Sequence, residues 1–326
     1  MFGSLLTRLK PGGRRRRIHL HIGAPKTGTT TLQTALATHR RMLAREGAIY
    51  PRAGCLASGA GVAQHLLALS LRAEYPAFIA PPERQPAEQV WAALLAEIDR
   101  APAGDILLSS EAFFHLDTQA VARVAEYLSG HEVHVVAVER NPLQRLRSRY
   151  IQSVKAPPFG RLDFHAYALR ATRRQADDAR LWEATFGSAA VTRLRYDAPT
   201  EPGGLVPSVL VACGLSPATA ARIDPGPQWL NRSPGWPVVS LMRRLNAVRH
   251  VPAETRQRLY VRLVEHGVPA DLAGFDALTE GFEDIRPPVR LRLREVFLRH
   301  REPDPEPSET MLQAFADIQS RVPSGA

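Results

Sequence analysis

The sequence predicts an α/β protein with a central parallel sheet flanked by helices, followed by a mainly helical C-terminal part. Three observations predict it. Strand and helix candidates alternate from Ile18 to Tyr196, the order that builds a parallel sheet covered on both faces. Two segments, Asp105–Ser109 and His131–Glu139, read as continuous buried strands. Beyond Asp197 strand patterns stop and helical ones continue.

The first strand is Ile18–Ile22, followed by a turn rich in Gly, Pro and Thr and a helix from Thr29 to His39. Ala48–Tyr50 is a short apolar segment ended by Pro51, and residues 61–75 have a helical pattern. Pro86–Arg100 is amphipathic through Val90, Leu94, Leu95 and Ile98. After the two buried strands, Pro142 opens a helix to Val154, since proline suits a first helical turn. Leu181–Phe186 closes another helix, and Val191–Tyr196 is the last strand. The stretches 197–204 and 224–237 read as loops, with helices at Val238–Val248 and Pro288–His300. These features predict one domain over residues 17–300. A basic stretch, 1–16, precedes it without fixed structure; a Pro- and charge-rich tail, 301–326, follows with room for one short helix.

A net charge of +10 invites nucleic acid as a partner, but only three of the 42 basic residues are lysines and the arginines are scattered. No aromatic interleaving of the kind that stacks bases accompanies them, so nucleic-acid binding is not expected. The dense run Arg14–Arg17 reads as a solvated edge before the first strand. No apolar run reaches the roughly 18 residues of a membrane span, and the N-terminus is too short of apolar residues for a secretory signal. Two cysteines, Cys55 and Cys213, supply neither a disulfide framework nor a zinc site. A cytoplasmic setting is expected; the oligomeric state is left open.

The chemistry concentrates in Gly23-Ala24-Pro25-Lys26-Thr27-Gly28-Thr29-Thr30, between the first strand and its helix. Small residues let the backbone wrap an anion. A helix start presents N–H groups and partial positive charge to it. Lys26 adds a full charge and the threonines add hydroxyl donors. The loop is not a Walker A motif, in which lysine follows the second glycine directly; here Lys26 precedes Gly28 by two residues. No acidic partner for Mg²⁺ is evident, and no metal is expected.

A second constellation is Glu139-Arg140-Asn141-Pro142, with Ser148 and Tyr150 on the helix that follows. Arg140 falls at the carboxyl end of a strand, where parallel sheets bind ligands, and a guanidinium fork suits a phosphate. Arg145, Arg147 and Arg149 read as a charged helix face.

Pro25-Lys26-Thr27-Gly28-Thr29-Thr30 resembles the 5'-phosphosulfate loop of the sulfotransferase family, and Arg140-Asn141-Pro142 with Ser148 resembles its second signature. In detail the first segment is similar to bacterial members tied to cell-surface glycans. The resemblance implies a P-loop-like sulfotransferase fold that binds 3'-phosphoadenosine 5'-phosphosulfate as donor co-substrate. It further implies that Arg140 and Ser148 hold the 3'-phosphate, and that Lys26 steadies the oxygen bridging phosphate and sulfate. Asn231-Arg232-Ser233 is either a late loop closing over the nucleotide, which makes Arg232 a ligand, or an ordinary polar turn.

An acceptor hydroxyl needs a base. Glu111, which follows Asp105–Ser110, is the first candidate, with a helix cap or surface carboxylate as its bland alternative. His65 is second, although it also suits packing on its own helix. His115 is third, and His19 and His21 read as structural. Acceptor loops are expected in Gly47–Pro86 and Ala156–Arg180, for a glycan or a small hydroxylated molecule. Two other function classes stay open: a P-loop nucleotide kinase or NTPase, and a non-catalytic nucleotide-binding protein that retains the fold.

Overall fold

The computed structural model describes residues 14–25, 28–57, 61–76, 79–171, 178–196, 205–223, 234–299, 302–308 and 310. In chain order the first half forms β1 (Arg17–Gly23), α1 (Thr29–Thr38), α2 (Arg40–Arg45), β2 (Ala48–Ile49), α3 (His65–Leu69), α4 (Ala87–Arg100), β3 (Asp105–Ser109), α5 (Thr118–Tyr127) and β4 (Glu132–Arg140). Then come α6 (Pro142–Lys155), α7 (Phe164–Ala171), α8 (Asp178–Phe186), β5 (Val191–Tyr196), α9 (Leu205–Ala212) and α10 (Pro217–Ala221). Four helices close the chain: α11 (Trp236–Leu245), α12 (Ala253–His266), α13 (Leu272–Leu278) and α14 (Pro287–Arg299).

These residues fall into two compact units, Met1–Asn141 with Asp177–Gln228, and Pro142–Ala176 with Trp229–Ala326. Both lie largely within the 17–300 span that the sequence reads as one domain.

The first unit holds the sheet, five strands in the order β2-β3-β1-β4-β5, all parallel. Alternation along β1 sets its two faces. Ile18, Leu20 and Ile22 point into a core completed by Trp91, Leu94 and Ile98 of α4, Val121 and Val124 of α5, and Trp182 of α8. On the opposite face Leu107, Val136 and Val138 meet Leu32 and Leu36 of α1, Leu43 of α2 and Val209 of α9. Both faces are therefore covered, as the apolar strands require. From β1 the chain runs to β2 at one edge, and from β4 to β5 at the other. Connections thus diverge between the neighbours β1 and β4, the place where such sheets leave a crevice at their carboxyl ends.

The second unit is helical, packed around Tyr150, Phe164, Trp236, Leu263, Phe275 and Phe297. The Tyr150 ring meets Phe164 edge-on at 5.3 Å. Asn246, fully buried, donates to the carbonyls of Val154 (2.8 Å) and Gly160 (3.1 Å). The Pro- and charge-rich stretch 302–308 has no regular secondary structure, yet it is anchored. Asp304 takes a guanidinium from Arg243 (2.8 Å) and another from Arg244 (2.5 Å). Its carbonyl accepts from the Trp236 indole at 2.7 Å, and its N–H donates to Ser240 at 2.7 Å. Burial works against the Asp304 carboxylate, but the two arginines outweigh it and hold its pKa below the usual range. The short helix expected after this stretch lies outside the described residues.

Several expectations need correction. The helical pattern of residues 61–75 yields only α3. At its start, Gln64 and Leu66 spend their N–H groups on Ser109 and Gly54; after it, Leu71 and Arg72 bond three residues back, the tightening that ends helices. Ala156–Arg180, expected to be irregular, contains α7, whose Phe164 and Ala168 are buried four residues apart on one face. The Arg14–Arg17 run is not wholly solvated: Arg16 is buried and donates to the Ala101 carbonyl at 2.7 Å. On the charged face of α6, Arg147 pairs with Glu306 and lies 5.8 Å over the Trp236 ring. Among the described residues no helix is long and apolar enough to cross a membrane.

Candidate functional site

The site grows from the end of β1. After Ile22 the chain turns through Gly23, whose φ of +90° is open to glycine and strained for other residues. Ala24 donates to the Val138 carbonyl of β4 at 2.7 Å, fixing the loop's first residue to the sheet. Gly28 has φ +77° and starts α1, with Thr29 buried behind it and Thr30 exposed. Among the described residues no side chain caps this helix start and no acid lies in its first turn. Its N–H groups and the positive end of its dipole are therefore left for an external acceptor. Pro25, Gly28, Thr29 and Thr30 stand together there as expected. Lys26 and Thr27 lie outside the described residues.

Gly23 has a second role. A Cβ placed on it would stand 2.9 Å from the Glu111 Cβ and 3.1 Å from the Glu111 Cα. The absent side chain is what lets the residue after β3 sit directly against the loop. Glu111 opens a 3-10 turn, Glu111–His115, whose first N–H groups are held by Ser110: its Oγ accepts from Ala112 N at 3.2 Å.

One Glu111 oxygen, Oε2, accepts from Gln33 Nε2 of α1 at 2.7 Å. The other, Oε1, lies 4.0 Å from His65 Nε2. His65 in turn has its Nδ1 2.8 Å from Ser110 Oγ. The structure thus brings the first two candidate bases to one place. Gln64 explains how. Fully buried, it donates its N–H to the Ser109 carbonyl (3.2 Å) and accepts the Ser109 N–H on Oε1 (2.8 Å). Its Nε2 donates to the Pro51 carbonyl at 3.0 Å. This clamp ties the start of α3 to the end of β3, so His65 must face Glu111. The other candidate histidine, His115, sits exposed at the far end of the 3-10 turn, edge-on to Phe114.

Beneath α1, His21 and Ser109 face one another, His21 Nδ1 to Ser109 Oγ at 2.8 Å. Burial pushes the His21 imidazole down to about 4, against the pull of the Glu111 charge. His19, also buried, is bonded to Asp105 at 3.1 Å. Both histidines of β1 are buried.

The segment after β2 is organised rather than slack. Arg40 donates to the carbonyls of Tyr50 and Gly61, both at 3.1 Å, and its guanidinium lies 5.0 Å over the Tyr50 ring. Arg40 thereby ties Tyr50 to Gly61.

Arg140 ends β4, next to β1 in the sheet, with its guanidinium 5.4 Å over the Tyr196 ring of β5. Ser148 lies on α6 in the second unit, partly buried. Arg232 lies outside the described residues. Two contributors went unread in the sequence. Gln33 was visible only as a polar residue on the apolar stripe of α1, and Ser110 only as a serine at a strand end.

Fold and site define an α/β protein with a glycine-built strand-to-helix loop and a carboxylate–histidine pair at the carboxyl end of its sheet. No protein-family model matches the chain, and no curated protein matches it. Among the described residues no three His, Cys, Asp or Glu side chains converge as a metal site would require.

Proposed function

We propose that this protein is a sulfotransferase, moving a sulfuryl group from 3'-phosphoadenosine 5'-phosphosulfate to a hydroxyl or amine of an acceptor, a carbohydrate among the candidates. One observation carries the reading. The two motifs that resemble the family, Pro25–Thr30 and Arg140-Asn141-Pro142, end neighbouring strands of the sheet at the point where its connections diverge. The uncapped, acid-free start of α1 suits an anionic group, and so does the arginine that ends β4.

In this reading the donor supplies a sulfuryl group activated by its mixed-anhydride bond to the 5'-phosphate. The chain's part is positioning and charge. The start of α1 and Lys26 hold the 5' end, and Arg140 holds the 3'-phosphate. As the acceptor oxygen bonds to sulfur, the bond from sulfur to the bridging oxygen breaks. That oxygen keeps the electron pair, next to Lys26, and the acceptor's proton passes to Glu111. Cys55 and Cys213 are unpaired, which fits a cytoplasmic setting.

Radiolabelled donor incubated with the protein and extracts of its own cells tests the reading by transfer of label to an acceptor. Lys26→Ala is expected to lower that transfer about 100- to 1,000-fold while the far-ultraviolet circular dichroism spectrum stays unchanged. Label transferred by the variant at the wild-type rate refutes the role of Lys26.

A further inference from the structure

We propose that the nucleophilic oxygen of the acceptor sits between Glu111 Oε1 and His65 Nε2, with Glu111 as its proton acceptor and His65 as a hydrogen-bond donor that holds it. This deepens the sulfotransferase reading and rests on it.

The gap is the first argument. At 4.0 Å, Glu111 Oε1 and His65 Nε2 are too far apart to bond directly. An oxygen about 2.8 Å from each fits between them. Both side chains are about a quarter exposed (26% for Glu111, 27% for His65), so the gap can be reached from outside.

Proton bookkeeping settles which partner does what. Ser110 is fully buried, and its Oγ already accepts the Ala112 N–H. Its own hydroxyl proton still needs an acceptor. Among the described residues the one side-chain atom bonded to that oxygen is His65 Nδ1, at 2.8 Å. Ser110 therefore donates to Nδ1, and a neutral His65 must carry its ring proton on Nε2, the nitrogen facing Glu111. In that tautomer His65 offers a proton into the gap and has no free lone pair there. The carboxylate is the only acceptor. Gln33 holds the other Glu111 oxygen at 2.7 Å, which aims Oε1 at the gap.

The sequence left Glu111 and His65 as rivals for one role; the fold gives them complementary ones. During transfer the acceptor oxygen, held by the His65 N–H, forms its bond to sulfur and loses its proton to Glu111 Oε1. His65 keeps its own proton throughout.

Nitrogen-15 correlation spectra of the histidine-labelled full chain, with the His65 ring signals assigned through His65→Gln, read the tautomer directly. The expected result at neutral pH is the Nε2–H form in the wild type and its loss in Ser110→Ala. An Nδ1–H form in the wild type overturns the proposal. Sulfate release from the donor to water, the simplest hydroxyl, gives the second reading. Glu111→Gln is expected to slow it about 100-fold or more, His65→Gln about tenfold, and the double variant no more than Glu111→Gln alone. Wild-type release by Glu111→Gln defeats the proposed seat while leaving the sulfotransferase reading intact, provided the variant still binds 3'-phosphoadenosine 5'-phosphate. A wild-type chain that ignores that nucleotide brings down both.

Discussion

Gly23→Ala puts the construction of the site to a quantitative test. Two costs arise at that position. A left-handed φ of +90° strains any L-residue by about 1–2 kcal/mol. In addition the new Cβ lands 2.9 Å from the Glu111 Cβ and 3.1 Å from its Cα. Neither atom is the loose end of a side chain, so β3's terminus or the loop must shift, at an overpacking cost of about 1–3 kcal/mol. Gly47→Ala isolates the first cost: its φ is +80°, yet a Cβ there meets nothing within 4 Å. The account predicts that Gly23→Ala destabilises by about 2–5 kcal/mol and Gly47→Ala by about 1 kcal/mol, the latter softened by the stiffer unfolded chain. Urea unfolding of both variants against wild type, followed by tryptophan fluorescence, measures the difference. Any separate transition from the second unit is common to all three proteins and cancels. Equal shifts of the midpoint for the two variants would refute the claim that Glu111 packs against the bare Gly23 backbone.

Other consequences are open to simpler measurements. Burial lowers the His21 pKa to about 4, so between that value and about 6.5 the unfolded chain binds the proton and the folded one does not. Stability is full above pH 6.5 and falls by about 3 kcal/mol as pH drops through that window, with His19, His131 and His134, also lowered by burial, acting in the same direction. A thermal midpoint that stays flat from pH 7 to pH 4 contradicts this. Asp304→Ala removes the partner of Arg243 and Arg244, which are only 17% and 15% exposed. The expected cost is about 3 kcal/mol, together with faster tryptic cleavage near residue 301; unchanged cleavage would show that the stretch 302–308 is held by other contacts.

Much of the fold was legible because its strands speak locally. Asp105–Ser109 and Val191–Tyr196 are apolar or β-branched runs bounded by turn residues, and both form over the expected residues. α1 was legible for the same reason, with glycine before it and Leu32, Ala35 and Leu36 on one stripe. α5 went unread although Asp117 caps it, accepting the Ala120 N–H at 2.8 Å; its apolar set is only Val121 and Val124 with alanines. The shortness of α3 was hidden because tertiary bonds to Ser109 and Gly54 compete with the helix that its pattern favours.

At the site, Glu111 was readable as an acid directly after a buried strand. Its partnership with Gln33 was not, because those two residues lie 78 positions apart and no periodicity links them. The same holds for His65 and Ser110, 45 apart, which the Gln64 clamp brings together. Local pattern placed each residue on its element, and only the packing of elements decided which of them meet.

Calorimetric titration with 3'-phosphoadenosine 5'-phosphate, in the absence of metal, tests the central claim most directly. The account predicts one site per chain, tighter than ATP with Mg²⁺, and abolished binding in both Lys26→Ala and Arg140→Ala. Heat from ATP with Mg²⁺ and none from the bisphosphorylated nucleotide would contradict it.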